Sequence, residues 1–309
     1  MLENYELSII IPHYNSPQLL RKLLDSIPEN SEIEIIVVDD RSDKYIEEYE
    51  KIRKEESSRA KFLKNNAGKK GAGTCRNIGL ASAKGKWILF ADADDYFLPG
   101  FYKKVSKHFE SGYDVIFFTP TSIYLENNQP STRHLGYKRL IEDYLNNAKD
   151  SELKLRYYFR SPCSKMVRLD FIKDHKIYCD EVIVCNDDMF SVKLGHYMEN
   201  FAVTREEIYC ITDHVNSLSK KRGKEYFWSC FDVNLRIDRF LRENLLKKDY
   251  KKLRLFGINV LRQAVDRYDL NFIDLIQIIK ILTKNKIPFL PLSYLSPLKI
   301  FRKVFKKSY

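Results

Sequence analysis

Three aspartates in a run of four residues, Asp92, Asp94 and Asp95 around Ala93, follow the apolar stretch Trp87 to Phe90 after Ala91. Consecutive carboxylates at a strand end repel one another, and a fold tolerates them best where a cation neutralises them. Hard divalent ions take oxygen ligands, and Mg²⁺ uses one or two protein carboxylates, with phosphates and water completing its shell. An Asp-x-Asp at such a place fits a metal held against a diphosphate. A solvated acidic turn is the plain alternative.

These residues need a scaffold, and the hydrophobic pattern supplies one. Leu7 to Pro12 has a buried-strand pattern, Ile33 to Asp39 and Asp114 to Thr119 read as further strands, and Lys61 to Leu63 is a short one. Helical spacing runs from Gln18 to Ile27, Lys44 to Glu56, Cys75 to Ala83 and near Tyr102 to Phe109. Strands alternating with helices at this interval predict a doubly wound α/β sheet, whose ligands bind beyond the carboxyl ends of the strands. The informative polar residues occur at those ends: Pro12, His13, Tyr14 and Asn15 after the first strand, Asp39 and Asp40 after the second, and Asp92 to Asp95 after a later one. Three strand ends should therefore line one polar crevice. The glycines from Gly68 to Gly73 do not follow the order of a phosphate-binding loop, and no Gly-x-Gly-x-x-Gly follows the first strand, so neither an ATP loop nor a dinucleotide fingerprint is present.

The chain of 309 residues carries a net charge of +11, unevenly distributed. Residues 241–309 hold 16 Lys and Arg against 5 Asp and Glu, so residues 1–240 balance to zero. A neutral body with a basic end argues against a nucleic-acid groove running over the molecule and for a helical unit that meets an anionic surface. No apolar run reaches the roughly 18 residues of a membrane span. The six cysteines form no Cys-x-x-Cys pair, and the opening residues have no apolar signal core, so the expected location is the cytoplasm.

Four segments in order, Leu7 to Asn15, Ile36 to Ser42, Gly73 to Leu80 and Leu89 to Asp95, resemble the N-terminal half of family 2 glycosyltransferases with the GT-A fold. The resemblance implies a Rossmann-like, doubly wound mixed sheet over residues 1–222 that binds a nucleotide sugar, usually a UDP-sugar, with Mn²⁺ or Mg²⁺. Residues 223–309 would form a basic, mainly helical extension. Carried over by motif, Tyr14 stacks on the base, the backbone around Pro12 lines its pocket, and Asp39 accepts the base N–H. Arg76 belongs to the base- and phosphate-contacting segment. Asp92, with Ala93 beside it, faces the ribose side, Asp94 with Asp92 holds the metal, and Asp95 supports the loop. Tyr14 could instead be a core-edge aromatic, Asp39 and Asp40 could cap a helix, and Arg76 could simply pair with an acid. His13 departs from the small apolar residue usual in the family.

Transfer with inversion needs a base to take the acceptor proton. The family uses an aspartate in Glu-Asp-x-x-Phe; counting back from Phe190 assigns the base to Asp187, with Asp188 the second candidate and Asn186 standing where the family more often has Glu. Thr212 to Ser219 resembles the closing loop, in which His214 or Ser217 would reach the diphosphate. The resemblance implies a saccharide or lipid-linked saccharide acceptor in surface-polysaccharide synthesis. The interleaved aromatic and basic residues from Ile287 to Tyr309 suit the anionic inner face of a plasma membrane. A basic helix packed on the catalytic domain, or on a second subunit in a homodimer, is the competing reading of that end. Two other functions remain at this stage: a nucleotide-binding module without turnover, kept open by Asn186, and a transferase using a cytidine nucleotide.

Overall fold

The computed structural model describes residues 5–214, 217 and 220–290. The chain divides into two compact units, Met1–Ser217 and Leu218–Tyr309.

The first unit is built on a mixed eight-stranded sheet. Strands β1 (Leu7–His13), β2 (Ile33–Asp39) and β4 (Trp87–Phe90) are buried at every residue, which explains their mainly apolar sequences. Ser8 and Glu34 interrupt the run, and they satisfy each other: the Ser8 hydroxyl donates to Glu34 at 2.5 Å, and Glu34 also accepts the Lys84 N–H at 2.8 Å. Helices α1 (Pro17–Asp25), α2 (Ile46–Glu55) and α3 (Ala72–Ser82) and strand β3 (Ala60–Lys64) complete the N-terminal half. Then come β5 (Tyr96–Phe97), α4 (Phe101–Ser106), β6 (Val115–Tyr124), α5 (Leu135–Leu145), α6 (Ser151–Tyr158), β7 (Lys165–Arg168), α7 (Leu169–Asp174), α8 (Asp188–Tyr197) and β8 (Phe201–Asp213).

The strand order is β3-β2-β1-β4-β7-β6-β8-β5, with the first four strands parallel and β7 antiparallel to both its neighbours. The chain moves outward from β1 to β2 and β3, then returns to the other side of β1 as β4. That reversal creates a switch point, where adjacent strand ends diverge and a ligand can enter. Pairing of β1 with β4 ends at Ile10 and Phe90, while β1 stays paired with β2 as far as His13 and Asp39. Pro12 lies past the last β4 contact, so its missing N–H costs no ladder bond on that side. The crevice opens between His13 and the aspartates that follow Phe90.

Helix α3 is drawn tightly onto the segment before α8. A Cβ on Gly73 would stand 2.1 Å from the Asp180 carbonyl oxygen and 2.9 Å from the Asn186 Cβ. Only a residue without a side chain allows that approach. Gly73→Ala is expected to cost about 1–3 kcal/mol, from a backbone that must move rather than a flexible side chain. The check is a lower urea midpoint at unchanged m-value.

The second unit contains α9 (Lys224–Asn244), α10 (Lys247–Leu253), α11 (Gly257–Asp266) and α12 (Phe272–Lys284). Phe227 and Phe231 of α9 pack with Val260, Ala264, Tyr268, Ile278 and Leu282. The buried Asp238 carboxylate accepts the Tyr250 hydroxyl at 3.1 Å and the Leu255 N–H at 2.9 Å, joining α9 to the turn after α10. Among the described residues no helix is long and apolar enough to cross a membrane. Of the C-terminal stretch from Ile287 to Tyr309, residues 291–309 lie outside the described ones.

Candidate active site

The first wall of the crevice is a stitched pair of loops after β1 and β2. Asn15, in the left-handed region at φ 51°, uses its side-chain oxygen to accept the N–H groups of Asp43 and Lys44, each at 3.0 Å. Its own N–H donates to the Ser42 hydroxyl oxygen at 2.9 Å. Asn tolerates this backbone conformation better than most residues, and here the turn is repaid with three hydrogen bonds.

Asp39 is held by the same loops. Its Oδ1 accepts the Ser42 hydroxyl at 2.5 Å and faces His13 Nδ1 at 3.0 Å, and its Oδ2 accepts the Ser42 N–H at 3.0 Å. The N–H of Ser16 points at His13 Nε2 at 3.2 Å. A backbone N–H can only donate, so Nε2 is the acceptor and the ring proton sits on Nδ1, aimed at Asp39. Tyr49 stacks on the imidazole with ring centres 4.7 Å apart and planes 6° from parallel. Although burial opposes ionisation, the donors from His13 and Ser42 hold Asp39 below its usual range. The outcome is a fixed carboxylate with about one lone pair to spare, on Oδ2. Tyr14 is 46% exposed at the mouth, with its hydroxyl donating to Asp43 at 3.2 Å and the Lys70 ammonium 4.0 Å above its ring. Asp40 points elsewhere. Its oxygens accept the Asn65 amide at 2.6 Å and the Gly71 N–H at 2.7 Å, fixing the loop that enters α3.

The second wall is the acidic turn after β4. Ligand atoms of Asp92, Asp94 and Asp95 all lie within 4.8 Å of one another, but the three have different tasks. Asp95 is buried with both oxygens engaged: Oδ2 accepts the Tyr209 hydroxyl at 2.8 Å and Oδ1 the Thr212 N–H at 2.7 Å. Burial and the charges of Asp94 and Asp92 push its carboxyl well above the ordinary range. Tyr209 in turn accepts the Asp92 N–H at 2.8 Å, so one buried phenol shapes the turn. Asp94 meets His214 at 2.9 Å from Oδ2 to Nε2. Asp92 accepts Arg76 at 2.5 Å and is 41% exposed along its side chain. Ala93 is buried between them.

Oxygens of Asp92 and Asp94 that carry like charge, with an imidazole beside them, make a donor set suited to Mg²⁺ or Mn²⁺. Burial is the larger cause of the raised Asp95 carboxyl, and the charges of Asp94 and Asp92 add the part that such an ion would relieve.

The third wall precedes α8. Arg76 is 4% exposed, and its guanidinium donates to Asn186 Oδ1 at 2.6 Å as well as to Asp92. Arg76 therefore links the acidic turn to the segment carrying Asp187 and Asp188. Asn186 supplies an amide oxygen where a Glu would supply a carboxylate, and the position remains filled. Asp187 occupies the N-cap position of α8, but its side chain makes no capping bond. Burial pushes its carboxyl up to about 6; Arg76 opposes the shift, and Asp188 and Asp92 add to it. Asp188 is engaged by Arg160 at 3.1 Å.

Several partners in this site carry no signal local to the sequence. Lys165 is buried and donates to the Phe159 carbonyl at 2.6 Å; the Ser191 hydroxyl donates to the next carbonyl, that of Arg160, at 2.5 Å. Together they fix the arm that holds Asp188. Burial brings the Lys165 ammonium down to about 7, with Asp187 holding it up. Arg133 donates to the Thr212 carbonyl and to the Ser217 hydroxyl oxygen, each at 3.0 Å, and so positions the segment carrying His214. Val215, Asn216, Leu218 and Ser219 of the closing loop lie outside the described residues.

A mixed α/β sheet opening at the β1/β4 switch point onto an Asp-x-Asp turn defines a GT-A architecture. The chain belongs to glycosyl transferase family 2, whose profile matches residues 8–176. It is 28% identical over 209 residues to the poly(ribitol-phosphate) beta-N-acetylglucosaminyltransferase TarS of Staphylococcus aureus strain MW2, covering 65% of this chain and 34% of TarS. The chain thus spans about a third of that relative. Residues 1–349 of S. aureus TarS in complex with UDP-GlcNAc superpose with a TM-score of 0.67 at 21% identity, over 91% of this chain and 80% of that one. A mannosyltransferase from Pyrobaculum calidifontis in complex with GDP-Man and Mn²⁺ gives a TM-score of 0.53 at 12% identity, over 99% and 82% of the two chains.

Proposed function

We propose that the protein is a metal-dependent inverting transferase that moves a sugar from a UDP-sugar to a hydroxyl of a saccharide or lipid-linked saccharide in surface-polysaccharide synthesis. The observation that carries this reading is the Arg76 bridge, which joins the acidic turn at Asp92 to the segment of Asp187 through two hydrogen bonds. It puts a candidate leaving-group site and a candidate base under one guanidinium.

In this reading Asp39 Oδ2 accepts the imide N–H of uracil, a bond that a cytosine ring nitrogen, itself an acceptor, cannot make. Tyr14 offers a ring for the base, and Pro12 lines the pocket floor. Asp94 and Asp92 hold Mn²⁺ or Mg²⁺, with His214 at the same locus; the ion, when bound, offsets charge on the departing diphosphate. Asp187 takes the proton of the acceptor hydroxyl as that oxygen bonds to the anomeric carbon. The bond from that carbon to the diphosphate breaks with its electron pair leaving on UDP. A carboxyl near 6 is largely ionised at neutral pH and still basic enough to accept a proton in the transition state. Burial raises both carboxyls, and what favours Asp187 is that its side chain makes no cap bond while Arg160 already holds Asp188. The UDP-GlcNAc bound to TarS supports a UDP-sugar donor, and the Mn²⁺ of the mannosyltransferase supports a metal. The basic helical unit would bring the enzyme to the cytoplasmic membrane face where lipid-linked acceptors reside.

Asp39 depends on His13 for its orientation. His13→Leu keeps an apolar body against Tyr49 and removes the Nδ1–H, and is expected to weaken UDP binding about tenfold, the worth of a hydrogen bond to a charged group. Turnover at saturating donor should change little. Calorimetric titration of UDP and CDP in Mn²⁺ tests the pocket itself: UDP should bind and CDP should bind at least about tenfold more weakly. Equal binding of the two, or none of either, would remove Asp39 from base recognition.

A further inference from the structure

We propose that the exposed face of α12 is the surface by which the helical unit lies on an anionic lipid bilayer. This deepens the membrane part of the functional reading and does not depend on the transferase chemistry. The sequence pattern directs attention to the end of the chain, yet the clearest unpartnered apolar surface among the described residues is on α12. Phe272 and Ile273 are each 75% exposed, Ile279 is 41% and Ile276 is 38% exposed. The opposite side of the same helix, Asp274, Ile278 and Leu282, is buried in its own unit. The helix is therefore already anchored by one face, and its apolar exposure lies on the other.

The arrangement on the outer face has a polarity suited to a membrane interface. At 100° per residue, Phe272, Ile276, Ile279 and Thr283 fall within about 60° of arc, and Lys280 and Lys284 flank them next to Ile273. An apolar stripe with lysines along its border can sink to the depth of the headgroups while the ammonium groups reach the phosphates. Isolated apolar residues on a surface need no explanation, but four large ones on one side of a thirteen-residue helix form a patch of the kind that marks an interaction site.

Charge selects the occupant. Residues 218–309 contain 22 Lys and Arg against 8 Asp and Glu, a net +14, whereas residues 1–217 carry a net −3. A second copy docked face to face through α12 would bring two such basic units together and pay their repulsion. An anionic bilayer gains from the same charge, by roughly a fivefold change in affinity for each lysine close to its surface. The catalytic unit, with its slight negative charge, has no such attraction.

The test uses the full chain and sedimentation with vesicles of equimolar phosphatidylglycerol and phosphatidylcholine, or of phosphatidylcholine alone. The wild-type protein should bind the anionic vesicles and not the neutral ones. Replacing Phe272, Ile273, Ile276 and Ile279 together by Ser, all solvent-exposed and so with little effect on folding, should weaken binding about tenfold or more. Lys280→Gln with Lys284→Gln should weaken it by about tenfold or more as well. An unchanged thermal melt and unchanged UDP binding would verify that each variant is folded. If wild type and the Ser variant bind vesicles equally, α12 is not the docking face although the membrane reading stands. If wild type binds no anionic vesicle, both fail while the donor site is untouched. If the Ser substitutions convert a dimer into a monomer without changing vesicle binding, the face belongs to a second copy and the proposal is overturned.

Discussion

Asp187→Asn is expected to lower kcat by ~10² to 10⁴, the usual contribution of a placed general base, while UDP affinity stays within about twofold. Asn preserves the volume and removes the proton acceptor. The helix should not suffer, because the Asp187 side chain makes no capping bond to α8. Stability should hold or rise at neutral pH. A carboxyl raised from 3.8 to about 6 binds its proton more readily in the folded than in the unfolded chain, so between those values stability falls as pH rises, and Asn escapes that loss. The same value shapes activity: kcat/KM of the wild type should climb with unit slope up to about pH 6 and level off above it. The apparent value belongs to the pair with Asp188, whose charge adds to the shift. Asp188→Asn, which loses the Arg160 contact rather than the base, should keep most of the turnover and shift the profile to lower pH. A variant at Asp187 that retains full turnover would transfer the role to Asp188 or remove it from this segment.

Asp94→Ala is expected to abolish the dependence of UDP binding on Mn²⁺ and to reduce turnover by about 10² or more. The wild type should gain affinity for UDP as Mn²⁺ is added, and chelation should reverse that gain. Asp94 can be removed with little structural cost, since His214 is the partner its carboxylate has in this turn and the Asp94 side chain is 30% exposed. Asp95 offers the contrast: it fixes Tyr209 and Thr212 from a buried position, so its replacement should lower the melting temperature as well as the activity. The two aspartates, adjacent in sequence, are separable by whether stability moves with function. Retained metal-dependent UDP binding in Asp94→Ala would place the ion on other residues.

The N-terminal half of the fold is legible in the sequence because β1, β2 and β4 are buried along their length and are therefore mainly apolar, with Ser8 and Glu34 satisfying each other. Their ends carry the polar residues, so the crevice and its aspartates could be located before any coordinates. The region from 120 to 220 is much less legible. β7 is four residues long, and β8 mixes charged and apolar residues as it pairs with β6 through two register shifts. Partners in such strands are set by the sheet, not by local pattern. The same holds for contacts across long separations: Arg76 meets Asn186 at 110 positions' distance, and Tyr209 meets Asp95 at 114. His13 departs from the family pattern with no sign in the sequence of what it does, and the Ser16 N–H and the Tyr49 ring determine its tautomer and plane. In the helical unit the sequence from about residue 225 onward is mostly helical in pattern, but nothing in it marks which apolar residues of α12 remain exposed.

The central claim, transfer from a UDP-sugar, is tested most directly by measuring UDP release from a panel of UDP-hexoses and UDP-N-acetylhexosamines in Mn²⁺. The panel is run with wild type, Asp94→Ala and Asp187→Asn. Slow release from one sugar by the wild type, lost in Asp94→Ala and strongly reduced in Asp187→Asn, is the expected result. Release that is equal in all three proteins, or a wild type that fails to bind UDP with Mn²⁺ at all, would contradict the account.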